Sequence, residues 1–114
     1  MNKGPNTVIY PVSDLASAKA LFGRLVGTDP VADAEYYVGF QSGDEHIGLD
    51  PNGEKRGMKG ATPFWDVDDI QGVAAGLVEG GATIIEDAHD VGGGLLVAIL
   101  SDADGNMIGL RQAT

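Results

Sequence analysis

TVIYPVSDLASAKALF (Thr7–Phe22) and TPFWDVDDIQGVAAGL (Thr62–Leu77) follow one plan: an alternating apolar strand runs through Val-x-Asp into an amphipathic helix. A supersecondary unit stated twice in one chain predicts two tandem modules. Each opening is followed downstream by a strand built on a branched apolar residue, Gly and Leu, at Ile47-Gly48-Leu49 and again at Ile108-Gly109-Leu110.

Working outward, Asp14 stands where a helix N-cap belongs, ahead of Leu15, Ala18, Leu21, Phe22 and Leu25 on one side, and Gly27 stops the helix. Residues 30–33, 35–42 and 45–50 read as short strands, the last two joined by the hairpin signal Ser42-Gly43-Asp44. The second copy repeats this. It has a strand at 62–67, Asp69 as cap, a helix carrying Ile70, Val73, Ala74, Leu77 and Val78, a stop at Gly80-Gly81, and strands near 83–87, 94–101 and 106–111. Between the copies, residues 51–61 are rich in glycine and charge without apolar periodicity, and hold Lys55, Arg56 and Lys59. The expected organisation is one domain over 1–114: module one at about 7–50, a linker at about 51–61, and module two at about 62–111.

This order is similar to that of the vicinal oxygen chelate superfamily, whose members include glyoxalase I, bleomycin-resistance proteins, fosfomycin-resistance transferases and extradiol dioxygenases. The resemblance spans nearly the whole chain. It implies an α+β fold of two βαβββ modules whose curved sheets form a cup-shaped pocket. In metal-using members of such a family, each opening strand usually begins with His or Gln, and the residue before each module's last Leu is often Glu or His. The matching places here hold Thr7, Thr62, Gly48 and Gly109. Divalent metals need imidazole, carboxylate or thiolate donors, so the resemblance implies a kept fold without its usual metal ligands, and no cofactor is expected.

Strand parity then predicts the lining of the cup. With Thr7 inward, Ile9 and Pro11 follow, as do Thr62, Phe64 and Asp66, His46, Gly48 and Asp50, and Met107, Gly109 and Arg111. Val8, Tyr10, Val12, Trp65 and Val67 should face the helices. Such a lining suits a small, partly aromatic or amphipathic ligand. Several members have two readings. His46 is either a general base or a solvent-facing strand residue beside Asp44 and Glu45. Arg111 either clamps a carboxylate or pairs with Asp66 across the modules. His89, beside Asp87 and Asp90, belongs to a surface loop or to a hard-metal cluster. Gly92-Gly93-Gly94 precedes a strand and reads as a turn, not a dinucleotide fingerprint, and Asp102-x-Asp104-Gly105-Asn106 reads as a hairpin and not a calcium loop.

Composition bounds the function. The 114 residues, 43% of them hydrophobic, suffice for one core, and the absence of Cys excludes disulfides and thiolate chemistry. Seventeen acidic against seven basic side chains give a net charge of −10, which repels nucleic acid and anionic lipid and suits a cationic guest. No apolar run is long enough to cross a bilayer, and Met1 to Asn6 lacks signal-peptide character, so a cytoplasmic location is the expectation. The favoured reading is a metal-independent small-molecule binding protein of the glyoxalase/bleomycin-resistance type, with no membrane or nucleic-acid partner. The alternative is a lyase or dioxygenase with metal ligands relocated to His46, Asp50, Asp66 or His89, or a metal-free catalyst using His46 as base. The resemblance also implies a homodimer.

Overall fold

The computed structural model describes residues 4–113. Met1 to Lys3, the start of the segment read for a signal peptide, and Thr114 lie outside them. Module one comprises β1 (Pro5–Pro11), α1 (Leu15–Val26), β2 (Ala32–Ala34), β3 (Tyr37–Ser42) and β4 (Glu45–Asp50). Module two comprises β5 (Thr62–Asp66), α2 (Ile70–Glu79), β6 (Thr83–Asp90), β7 (Leu96–Ser101) and β8 (Met107–Gln112). All the strands form one eight-stranded sheet in the order β2-β3-β4-β1-β5-β8-β7-β6. Each opening strand runs parallel to the last strand of its own module, and β1 pairs antiparallel with β5. That central pairing, Thr7 opposite Phe64 and Ile9 opposite Thr62, relates the modules by an approximate two-fold axis within one chain.

The helices begin and end for local reasons. Asp14 and Asp69 accept from the backbone N–H of Ser17 and Gly72 respectively, satisfying first-turn donors that would otherwise lack partners. Gly27 closes α1 at φ 86°, a left-handed conformation that costs other residues a Cβ clash. Between β7 and β8, Asp102 accepts from the backbone N–H of Asp104 and Asn106 and from the Asn106 amide, which is the hairpin reading of that motif.

Two apolar clusters lie under the helices and a third lies inside the cup. Val38, Phe40 and Leu49 pack beneath Leu15, Ala18, Phe22 and Val26 of α1, with the Tyr10 and Phe22 ring centroids 4.8 Å apart. Val67, Ile70, Ala74, Ala98, Leu100 and Leu110 pack beneath α2. The inner cluster is Ile9, Met58, Phe64, Val97 and Ile99. The stripe expected on α1 is narrower than predicted: Leu21 and Leu25 are 66% and 78% exposed. They lie on the flank of the Leu15-Ala18-Phe22-Val26 row, and only that row reaches the sheet. On α2, Val78 is exposed for the same reason, and Trp65 is 38% exposed where a helix-covered side chain was expected.

The linker is part of the architecture. Residues 51–57 form successive turns, and Met58 inserts into the inner cluster at 2% exposure. Arg56 donates through Nε and Nη2 to both oxygens of Glu86, at 3.1 and 2.8 Å, and through Nη1 to Asp50 at 2.9 Å. One guanidinium thus joins the last strand of module one to the outermost strand of module two. Among the described residues no helix is long and apolar enough to cross a membrane.

Candidate functional site

The concave face of the sheet encloses a cavity of about 630 Å³, a volume typical of small-molecule sites. Its wall takes in Thr7, Ile9, His46, Asp50, Phe64 and Arg111, all expected from strand parity. It leaves out six others. Pro11, at the end of β1, lies against the linker, where a Cβ on Gly53 would stand 2.8 Å from Pro11 Cβ. Thr62 is fully buried and donates to the Gly60 carbonyl at 3.0 Å, so its hydroxyl fastens the linker instead of facing a ligand. Met107 packs against the inner cluster. Asp66 accepts from Arg111 Nη1 at 2.9 Å. The two residues are register neighbours on β5 and β8, so the pair lies within module two and does not cross between modules as expected. Gly48 and Gly109 are each covered by a ring.

Glycine at these two positions has a packing reason. On β3 and β4, Gly39 and Gly48 face each other in register and leave a patch of bare backbone. The Tyr37 ring lies over Gly48, and the His46 ring lies over Gly39. A Cβ on Gly48 would stand 2.8 Å from Tyr37 Cζ and 2.6 Å from Ile9 Cδ1, and one on Gly39 would stand 2.6 Å from His46 Cε1. The two rings are nearly parallel, 8° apart in plane with centroids at 6.0 Å, and meet through a 2.6 Å hydrogen bond between Tyr37 Oη and His46 Nε2. In module two, Phe64 lies beside Gly109 in register, and a Cβ there would stand 2.5 Å from Phe64 Cγ. Aromatic rings covering strand glycines regain apolar contact that glycine itself cannot supply.

Burial shifts both members of the polar pair. Burial pushes the Tyr37 phenol up to about 12, with Asp50 adding and Arg111 opposing. Burial, helped by the nearby Arg111 charge, holds His46 below its ordinary 6.5. At neutral pH the phenol is protonated and the imidazole uncharged, and the imidazole tautomer sets which of the two donates in the hydrogen bond. Arg56 is raised above its ordinary value, first by its hydrogen bonds to Glu86, and its three hydrogen-bonding nitrogens are all engaged with carboxylates.

The donor set does not fit a metal of the kind the fold family uses. Two glycines carry no donor, and rings fill the space in front of them. The proposed relocated donors are not brought together. His46 is held by Tyr37, Asp50 by Arg56 and the Asn52 N–H, and Asp66 by Arg111. His89 sits on β6, not in a loop, with Nδ1 on the Asp87 carbonyl and Nε2 3.7 Å from Glu86. Among the described residues, no three His, Asp or Glu side chains converge.

Parity reasoning missed Asn6, Tyr36, Tyr37, Gln41, Asp44, Arg56, Val91, Leu95 and Val97 of the wall. For Tyr37 a signal was present. Tyr37-Val38-Gly39 and His46-Ile47-Gly48 place an aromatic ring two residues before a glycine on facing strands.

Two mirrored βαβββ units enclosing one cup define a class of protein, and comparison with known proteins gives it a family. The model of the Glyoxalase/Bleomycin resistance protein/Dioxygenase superfamily matches residues 4–110, and the chain belongs to that superfamily. Among solved structures it is similar to the NAD-dependent benzaldehyde dehydrogenase from Legionella pneumophila, with a TM-score of 0.76 at 16% identity, over 96% of this chain and 100% of that one. It is also similar to a glyoxalase/bleomycin resistance protein/dioxygenase superfamily member from Vibrio splendidus, with a TM-score of 0.71 at 14% identity over the whole of both chains. The methylmalonyl-CoA epimerase from Mycobacterium tuberculosis gives a TM-score of 0.72 at 17% identity, over 97% of this chain and 88% of that one. At such identities the likeness is one of fold. Comparison with curated protein sequences gives no match.

Proposed function

We propose that the protein is a metal-independent small-molecule binding protein of the glyoxalase/bleomycin-resistance type, holding a small, partly aromatic ligand in the cup between its modules. The observation that carries this reading is the covering of Gly48 and Gly109 by Tyr37, Ile9 and Phe64. Where metal-using relatives of the fold carry donors, this chain offers aromatic and apolar surface, so affinity must come from shape, desolvation and a few hydrogen bonds.

The test combines chelation with a ligand screen. Protein dialysed exhaustively against a chelator should be stabilised by the same organic compounds, to the same extent, as protein that was not. Loss of ligand affinity on chelation, restored by one equivalent of zinc, nickel, manganese or iron, would overturn it. The same proposal includes a homodimer, for which the exposed Leu21 and Leu25 on α1 offer apolar surface. A monomeric mass by light scattering at micromolar concentration would remove that part.

A further inference from the structure

The charged groups around the cavity are mostly paired with one another. Arg56 is shared between Asp50 and Glu86, one positive group against two negative ones, and its hydrogen-bonding nitrogens are taken up by those carboxylates. Arg111 differs. Among the described residues its one side-chain hydrogen bond runs from Nη1 to Asp66, so Nε and Nη2 remain without a protein acceptor on a side chain that lines the cavity and is 32% exposed. A guanidinium edge of that kind presents parallel N–H donors suited to two oxygens of a planar anion. The walls around it are flat or apolar: Phe64 on the adjacent strand, Val97 paired with Arg111 itself, and the Tyr37 ring of module one. The one carboxylate of the wall outside these ion pairs, Asp44, belongs to the exposed β3–β4 turn.

We propose that the cavity binds a small planar organic anion, an aromatic or conjugated carboxylate, with the open edge of Arg111 as anchor and the Tyr37 hydroxyl, freed to donate when His46 carries its proton on Nε2, as the second polar contact. This rests on the binding reading above and names its ligand class. The chain's −10 charge does not oppose it decisively. Exposed charges are screened beyond about 8 Å at physiological salt, whereas a charge-assisted hydrogen bond inside a partly desolvated cup is not.

Benzoate, benzamide and benzamidine have nearly one shape and charges of −1, 0 and +1, so they separate the two ideas. The full chain, labelled for NMR, is titrated with each. Benzoate should shift the His46 ring and Arg111 side-chain signals and bind most tightly. Arg111→Gln should weaken benzoate at least about tenfold and benzamide by a clearly smaller factor. Asp66→Asn, which keeps the guanidinium, should retain or tighten benzoate binding. Benzamidine binding in the cavity more tightly than benzoate would overturn the anion assignment and leave the binding reading intact, as would benzoate affinity that survives Arg111→Gln or disappears in Asp66→Asn. Absence of any cavity shift with all three compounds at millimolar concentration would overturn both.

Discussion

Adding one methyl group at Gly109 tests the packing that closes the metal position in module two. An ideal Cβ there would lie 2.5, 2.6 and 2.7 Å from Cγ, Cδ2 and Cδ1 of Phe64. Carbon atoms in favourable contact sit about 3.5–4.0 Å apart, so the ring must withdraw by roughly 1 Å. Those atoms are the root of the ring and not its tip, so spinning the ring about its own axis does not relieve the clash. Phe64 is 3% exposed and packed with Ile9, Met58, Val97 and Ile99, which leaves it little room to retreat. Overpacking of this kind costs about 1–3 kcal/mol. Gly109 does not use a left-handed φ, so Ala also restricts the unfolded chain, a stabilising effect of about 0.4–1 kcal/mol. The net expectation for Gly109→Ala is a destabilisation of about 0.5–2 kcal/mol, or several degrees in Tm for a domain of this size. Urea unfolding of Gly109→Ala, Phe64→Leu and the double variant completes a cycle. Leucine removes the ring, so the added methyl group should then be neutral or stabilising, with a coupling of about 1 kcal/mol or more. A Gly109→Ala protein as stable as wild type, or a coupling below about 0.5 kcal/mol, would refute the claim that the ring occupies this position.

Gly48→Ala should cost less stability than Gly109→Ala, because the nearest atoms are the hydroxyl end of Tyr37 and the Cδ1 tip of Ile9, which can swing away. It should instead separate Tyr37 from His46, visible as a changed His46 titration by NMR. Arg56→Met should destabilise the fold by about 2–3 kcal/mol, short of the 3–5 typical of a fully buried pair since the guanidinium is partly open to solvent. It leaves Asp50, whose side chain is 8% exposed, without its cation. Denaturant unfolding of Arg56→Met beside Arg56→Lys measures this, and a loss below about 0.5 kcal/mol would show that the linker is not fastened there. His46 is held below its ordinary 6.5 in the folded chain, so below that pH the unfolded state takes up a proton that the native state refuses. Its contribution is complete above pH 6.5 and falls as pH drops through the folded value. Stability measured at pH 7.5 and 5.5 should therefore fall more steeply in wild type than in His46→Phe, and equal slopes would contradict the assignment.

The duplicated Val-x-Asp openings, the Asp14 and Asp69 caps and the Gly27 stop are local signals, and hydrogen bonds within a few residues explain why sequence alone located those elements. Strand parity, a strictly local periodicity, placed Thr7, Ile9, His46, Asp50, Phe64 and Arg111 on the concave face. The same periodicity could not say how deep along the strand the cavity reaches. Thr62 and Met107 share the inward parity but lie where the linker and inner cluster fill the space. For Tyr37 alternation gives only strand membership, although the glycine spacing it shares with His46 is present in the chain.

What the sequence determined by itself was the repeat, the element types, the inward sets of residues and the absence of side-chain donors at Gly48 and Gly109. Only the tertiary structure decided what replaces those donors. Whether a glycine leaves a hole or a seat for a ring depends on side chains from neighbouring strands, here Tyr37 on β3 and Phe64 on β5. It likewise decided that Arg56, in a segment without periodicity, fastens the cup. That contact joins residues thirty positions apart along the chain, and no local pattern encodes where two distant carboxylates will meet one guanidinium.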